Sequence, residues 1–96
     1  MANLQVGRED CNANEEINIE FNVKGYEFLV TNLTDDVLYV TLGNTFNENN
    51  SVVVPSETSR VVTVNKIHSL RDLINVVSIK PLATASNGVE VQCILW

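Results

Sequence analysis

The end of the chain carries the pattern that most constrains the fold. Apolar residues occupy every second position there: Val89, Val91, Cys93 and Leu95. A period of two is typical of a β-strand with one buried face. The Asn87-Gly88 pair before this run predicts a turn, and residues 83–88 are small enough to form one. A chain whose last residues form its clearest strand is expected to be one compact β domain.

The same period recurs along the chain and predicts an all-β fold. Residues 17–23 alternate between apolar and polar, and further β-rich runs cover residues 3–6, 26–31, 37–42, 52–54, 60–64 and 75–80. Seven or eight short strands at roughly ten-residue spacing predict an antiparallel β-sandwich, either Ig-like or jelly-roll-like. We expect a single β-sandwich domain over residues 1–96, with residues 1–16 as an N-terminal arm or edge strand.

The segments between these runs predict the connections. Lys24-Gly25 predicts a hairpin turn, because glycine supplies positive φ, and turns are also expected at residues 32–36 and 56–59. Residues 7–15 are polar and are expected to be irregular. At most one short helix is expected, near residues 68–74, where Ser69 and Asp72 have the spacing of a capping box.

The alternation also predicts which side chains fill the core. We expect the segments 17–23 and 89–95 to face the same interior. The residues predicted to be largely buried are Ile19, Phe21, Phe28, Val30, Val40, Val53, Val62, Ile79, Val91 and Cys93.

Composition excludes several classes of function. The 96 residues carry a net charge of −6 with a pI of about 4.5, and such a field disfavours binding to the phosphates of nucleic acids. No apolar stretch approaches the length of a membrane span. The N-terminus lacks the charged start and apolar run of a signal peptide, so we expect synthesis in a cytoplasm.

The sequence offers little for catalysis or metal binding. His68 is the single histidine, which rules out a Cys/His zinc cluster, and no phosphate-binding loop or nucleophile elbow is present. Cys93 shares the expected buried face of the last strand with Val89, Val91 and Leu95, and it is therefore interpreted as an inert thiol. A Cys11–Cys93 disulfide is disfavoured. Asp35-Asp36 and residues 47–50 are hard oxygen donors, interpreted as solvated turns. We therefore predict no enzyme activity, no cofactor and no metal.

Several short segments together resemble small virion-associated proteins of tailed bacteriophages. They are FLVTNLT (28–34), VLYV (37–40), NEN (47–49), VP (54–55), SRVV (59–62) and VEVQC (89–93). The resemblance covers roughly residues 26–96 and implies a structural β-sandwich of the head, neck or tail. It brings no catalytic or ligand-binding residue with it.

The predicted function is accordingly a non-enzymatic structural protein of a bacteriophage particle, made in the host cytoplasm and located in the virion. Its partners would be other virion proteins or copies of itself, with an oligomeric state in the particle. The alternative is a soluble module that binds a carbohydrate or a protein ligand.

The longest polar loop, residues 44–50, contains one aromatic residue, Phe46. Such a ring either packs back into the core or is offered to a partner, and interfaces favour aromatic residues at their centres. The sequence therefore predicts a partner-binding site at Phe46, Asn47, Glu48 and Asn49.

Overall fold

A computed structural model of the protein describes residues 5–63 and 73–95, which form eight β-strands and one 3-10 turn. In chain order the elements are β1 (Gln5–Cys11), β2 (Ile17–Gly25), β3 (Glu27–Asn32), β4 (Leu38–Leu42), the 3-10 turn η1 (Glu48–Asn50), β5 (Val52–Val54), β6 (Ser59–Thr63), β7 (Ile74–Pro81) and β8 (Ala85–Leu95). The predicted helical turn near residues 68–74 falls almost entirely outside the described residues.

The strands form two antiparallel sheets that pack face to face, so the predicted β-sandwich is confirmed. Sheet 1 has the order β1-β8-β3-β6 and sheet 2 the order β2-β7-β4-β5. Strand 1 pairs with 8, 2 with 7, 3 with 6 and 4 with 5. This nested pairing is the jelly-roll arrangement, one of the two β-sandwich types expected from the sequence.

The core lies between the two sheets. Phe21 of sheet 2 and Phe28 of sheet 1 pack with their ring centroids 5.7 Å apart. Nine of the ten residues predicted to be buried are buried, and the segments 17–23 and 89–95 both contribute to this core. The exception is Val53, which is 38% exposed. It lies between Val52 and Val54 on an edge strand, and its side chain points to the outer face of sheet 2.

Three local predictions were wrong. Lys24-Gly25 does not form a hairpin, because β2 and β3 belong to different sheets and the chain crosses between them at Tyr26. Residues 7–11 are not irregular but belong to β1. Asn87-Gly88 does not form a turn, because β8 already begins at Ala85.

The Asn87-Gly88 pair instead lies in an irregularity of β8. The register moves from Glu9↔Val89 to Cys11↔Ala85, so β8 has extra residues at this point. Asn87 has a φ of 49°, and its N–H donates to Asp10 Oδ1 at 2.7 Å. The Asn-Gly pair therefore adopts a positive φ at Asn87, but this conformation serves an irregularity within a strand and does not end one.

The loops of the jelly roll gather at two ends. Residues 12–16, 33–37, 55–58 and 82–84 connect strands at one end, and residues 43–51 connect β4 to β5 at the other. The first end contains five acidic residues and no Lys or Arg: Glu15, Glu16, Asp35, Asp36 and Glu57. We call it the acidic end. Most of the net negative charge of the protein is therefore concentrated there.

Candidate functional site

The predicted partner-binding residues lie in the loop 43–51, at the end opposite the acidic end. Phe46 is half-buried, whereas Asn47, Glu48 and Asn49 are exposed. Glu48 and Asn49 belong to the 3-10 turn, and Asn47 is its N-cap. The four residues thus lie in one short segment. The ring of Phe46 is half-buried, so it is neither packed fully into the core nor fully offered to a partner.

Asn47 holds this loop in shape. Its side-chain Oδ1 accepts a hydrogen bond from the Asn49 N–H at 3.1 Å, as an N-cap residue does. Its own N–H donates to Thr41 Oγ1 at 3.2 Å, and the Thr41 hydroxyl donates back to the Asn47 carbonyl at 3.1 Å. Asn47 is therefore a structural residue of the loop, and its side-chain oxygen is already engaged.

A second set of hydrogen bonds anchors the start of the loop on sheet 2. The Gly43 N–H donates to the Val76 carbonyl at 2.9 Å, and Gly43 has a φ of 117°, which favours glycine. The buried Ser78 Oγ lies 2.7 Å from the Gly43 carbonyl and 2.8 Å from Asn18 Oδ1. A hydroxyl has one proton, so it donates to one of these acceptors at a time.

The sequence analysis missed Thr41 and Ser78, the two strand residues that carry the loop. Both are buried although both are polar. They stand opposite each other in the β4–β7 register, on the face of sheet 2 that a simple alternation assigns to solvent. The polar loop that follows β4 is the sequence feature that could have indicated that part of this face is covered by a loop.

Of the four predicted residues, Glu48 and Asn49 are exposed and Phe46 is half-buried, and these three offer side-chain groups that a partner could contact. The Glu48 carboxylate accepts hydrogen bonds, the Asn49 amide both donates and accepts, and the partly exposed ring of Phe46 adds apolar surface. Because the backbone is fixed by Thr41, Asn47 and Ser78, little ordering entropy is lost when a partner binds. The loop is preorganised and presents a surface of mixed polarity.

A cavity of about 700 Å³ adjoins the loop, between the edges of the two sheets. Arg60 of β6 spans this edge and donates from Nη1 to the Val53 carbonyl of β5 at 3.1 Å. The apolar residues that line the cavity are Val40, Leu42, Val52, Val61, Val62 and Ile74. Thr45, Asn47 and Asn50 form its loop wall, so the loop and the β5–β6 edge form one continuous surface.

The aromatic residues bear on the carbohydrate-binding alternative. Sugars stack on exposed rings, but none of the five aromatic residues within the described ranges is exposed. Phe21 and Phe28 are buried, and Tyr26, Tyr39 and Phe46 are half-buried. The described part of the chain therefore lacks an open aromatic platform.

The two cysteines are reduced and far apart. Cys93 stands opposite Gln5 and Cys11 opposite Ala85, so six residues of β1 separate them, or about 20 Å at the rise of a strand. A disulfide needs Cα atoms closer than about 7 Å. Burial raises the pKa of both thiols, and the nearby Asp10 charge adds to the rise at Cys11. The interpretation of Cys93 as a buried thiol is confirmed.

Residues 5–63 and 73–95 contain no group of three or more His, Cys, Asp or Glu placed to hold a metal ion. They also contain no helix that is long and apolar enough to span a membrane. His68 lies outside the described residues.

Comparison with known proteins adds no relative. No protein-family model matches the chain, and no curated protein or solved structure matches it either.

Proposed function

We propose that the protein is a non-enzymatic structural component of a bacteriophage particle. In this proposal it binds other virion proteins or copies of itself, and the loop 43–51 and the β5–β6 edge make the contacts. The observation that carries the proposal is the jelly-roll pairing of the eight strands, because viral capsid domains are a principal use of this architecture. The resemblance of short segments in residues 26–96 to small virion-associated proteins of tailed bacteriophages supports the same class.

The construction of the loop also fits a docking role. A virion component repeats many times on a lattice, so multivalency lets each contact be weak. The loop offers one half-buried aromatic residue, Phe46, framed by exposed Glu48 and Asn49. Its hydrogen bonds to Thr41 hold it in one conformation. A small, rigid contact with both apolar and polar side chains suits an interface that is repeated on a lattice.

Incorporation into particles tests this proposal. The parent protein and variants are supplied in trans to a phage that lacks the gene, and the protein content of purified particles is measured. Phe46→Ala and Glu48→Ala are expected to lower incorporation, because central interface residues cost about 2 kcal/mol or more when truncated.

Glu15→Ala is the matched control, since Glu15 is equally acidic and exposed but lies at the acidic end. Melting temperatures separate lost binding from lost folding. If Phe46→Ala melts well below the parent while the folded fraction still enters particles, Phe46 belongs to the core and the docking role of the loop is wrong.

A further inference from the structure

The outer face of sheet 1 carries a row of residues that crosses all four strands. Val6, Gln92, Leu29 and Val61 stand opposite one another in register. They point outward, because the residues that alternate with them, such as Phe28, Val30 and Val62, are buried in the core. Val6 is 38% exposed and Val61 is 48% exposed. We call this set the outer row.

The outer face of sheet 2 is different. The outward residues of β2 are all polar and exposed: Asn18, Glu20, Asn22 and Lys24. On β4 and β7 of the same face, Thr41 and Ser78 are covered by the loop 43–51, to which they form hydrogen bonds. Single exposed apolar side chains need no explanation, but three of the four members of the outer row are apolar, with Gln92 standing between Val6 and Leu29. Apolar side chains grouped on one face indicate an interaction surface.

On the side of the outer row toward the acidic end, the two charged side chains are already paired. Arg8 Nε donates to Glu90 Oε1 at 2.7 Å, and Thr31 and Ser59 share a hydrogen bond of 2.8 Å in the same line across the sheet. The acidic side chains of the loops lie at one end of the strands and leave this face clear. An acidic protein can therefore approach a second acidic copy here if the two acidic ends point in opposite directions.

We propose that a second copy of this chain docks on the outer row, with the two acidic ends at opposite ends of the dimer. The twofold axis then runs along the row, so each row residue faces its own counterpart. Glu27, on the other side of the row, lies opposite Thr31 of the second copy, where a hydroxyl can donate to the carboxylate. The Glu27 carboxylate therefore meets a hydroxyl of the second copy and not another carboxylate.

The size of the face is sufficient for such a dimer. The protein measures 36 × 31 × 18 Å, and in a two-layer sandwich the short dimension crosses the layers, which lie about 10 Å apart. The broad face thus exceeds the roughly 800 Å² per partner of a standard interface. This self-association does not require the particle, so its test in solution is separate from the incorporation assay.

Sedimentation equilibrium of the full chain tests the dimer. The mass of the parent should rise with concentration from 10.7 kDa toward twice that value. Val6→Glu should raise the dimer dissociation constant about a hundredfold or more, because it places two carboxylates face to face. Asn22→Glu is the control, since Asn22 is exposed on the outer face of sheet 2, on β2 and away from the β5–β6 edge, and it should dimerise like the parent.

A charge swap tests the orientation and shows that the variants are folded. An equimolar mixture of the Val6→Glu and Val6→Lys chains should recover the dimer, since position 6 faces itself. A parent that stays at 10.7 kDa up to millimolar concentration would overturn the proposal. So would a parent dimer that Val6→Glu leaves intact, and rescue of Val6→Glu by Val61→Lys instead of Val6→Lys would overturn the antiparallel arrangement.

Discussion

Replacing Asn32 by Ala tests how a polar side chain holds the acidic end of the sandwich together. Asn32 is fully buried at the end of β3. Its Nδ2 donates to the carbonyls of Asp36 at 2.7 Å and Val54 at 2.9 Å. Its Oδ1 accepts from the Thr34 N–H at 2.9 Å and from the Thr34 hydroxyl at 2.7 Å. One amide thus ties β3 to the following turn and to β5 of the other sheet.

The size of the effect follows from these four hydrogen bonds. A buried hydrogen bond contributes about 1 kcal/mol net, and a buried group left without its partner costs more. Asn32→Ala removes all four and deprives the Thr34 N–H of its acceptor, so we expect a loss of about 3–5 kcal/mol in the free energy of unfolding. A domain of this size has about 5–15 kcal/mol in total, and the melting temperature should fall by roughly 15–30 °C.

Urea denaturation followed by circular dichroism measures this loss. Asn18→Ala is the matched control, because Asn18 is exposed and the Ser78 hydroxyl that lies against its side chain keeps the Gly43 carbonyl as an acceptor, so its cost should stay below about 1 kcal/mol. An Asn32→Ala midpoint equal to that of Asn18→Ala would refute the reasoning.

Asn32→Asp adds a pH signature to the same site. The new carboxylate would face the Asp36 and Val54 carbonyls, which raises its folded-state pKa above the ordinary value of about 3.9. A raised pKa means that the variant keeps most stability below about pH 4 and loses it as the pH rises through the folded-state pKa. A deficit relative to the parent that did not change with pH would contradict this.

Three further predictions concern the core. Phe28→Ala should cost about 3–5 kcal/mol of unfolding free energy, because the side chain is fully buried; a midpoint equal to the parent's would contradict this. Gly88→Ala should cost about 1–3 kcal/mol, since its Cβ would lie 2.8 Å from both Cys11 Sγ and Thr34 Cγ2, whereas an unchanged midpoint would show that these neighbours yield freely. Cys11 and Cys93 should react with a thiol reagent only after unfolding, and their raised pKa should make stability fall as the pH rises through 9.0, the ordinary pKa of the thiols, a fall that Cys11→Ala should reduce.

The two-sheet architecture could be predicted from the sequence because alternation reports burial strand by strand. Ile19, Phe21 and Val91 were assigned to the core from this signal alone, and all three are buried. The signal failed at Val53 for a clear reason, since Val52, Val53 and Val54 are identical and contain no alternation to read. Periodicity fixes a face only where two kinds of residue alternate.

The errors at the turns have another cause. Lys24-Gly25 and Asn87-Gly88 both carry genuine turn chemistry, but local chemistry does not say which strands will pair. In a jelly roll β2 pairs with β7, which is distant in sequence, so the chain passes from β2 to the other sheet. Likewise the positive φ of Asn87 serves an irregularity within β8, where Asp10 of β1 accepts its N–H.

The candidate site was located from sequence only in part. An aromatic residue in a polar loop drew attention to Phe46, and the structure places it half-buried beside exposed Glu48 and Asn49. The loop is held by hydrogen bonds to Thr41 and Ser78. These two residues are buried because the loop folds back onto sheet 2, which no local sequence pattern shows. The outer row of sheet 1 was also missed, because its members come from four strands and meet only through the register.

The most direct test of the central claim is the protein content of the particle itself. Under the proposed function a bacteriophage encodes this chain. Particles of that phage are purified on a density gradient, and the copies of the chain per particle are counted by quantitative mass spectrometry. We expect a fixed copy number that stays with the particles through repeated gradients and matches a multiple of the symmetry of the head, neck or tail. If the chain appears only in the lysate and not in infectious particles, it is not a structural component of the virion.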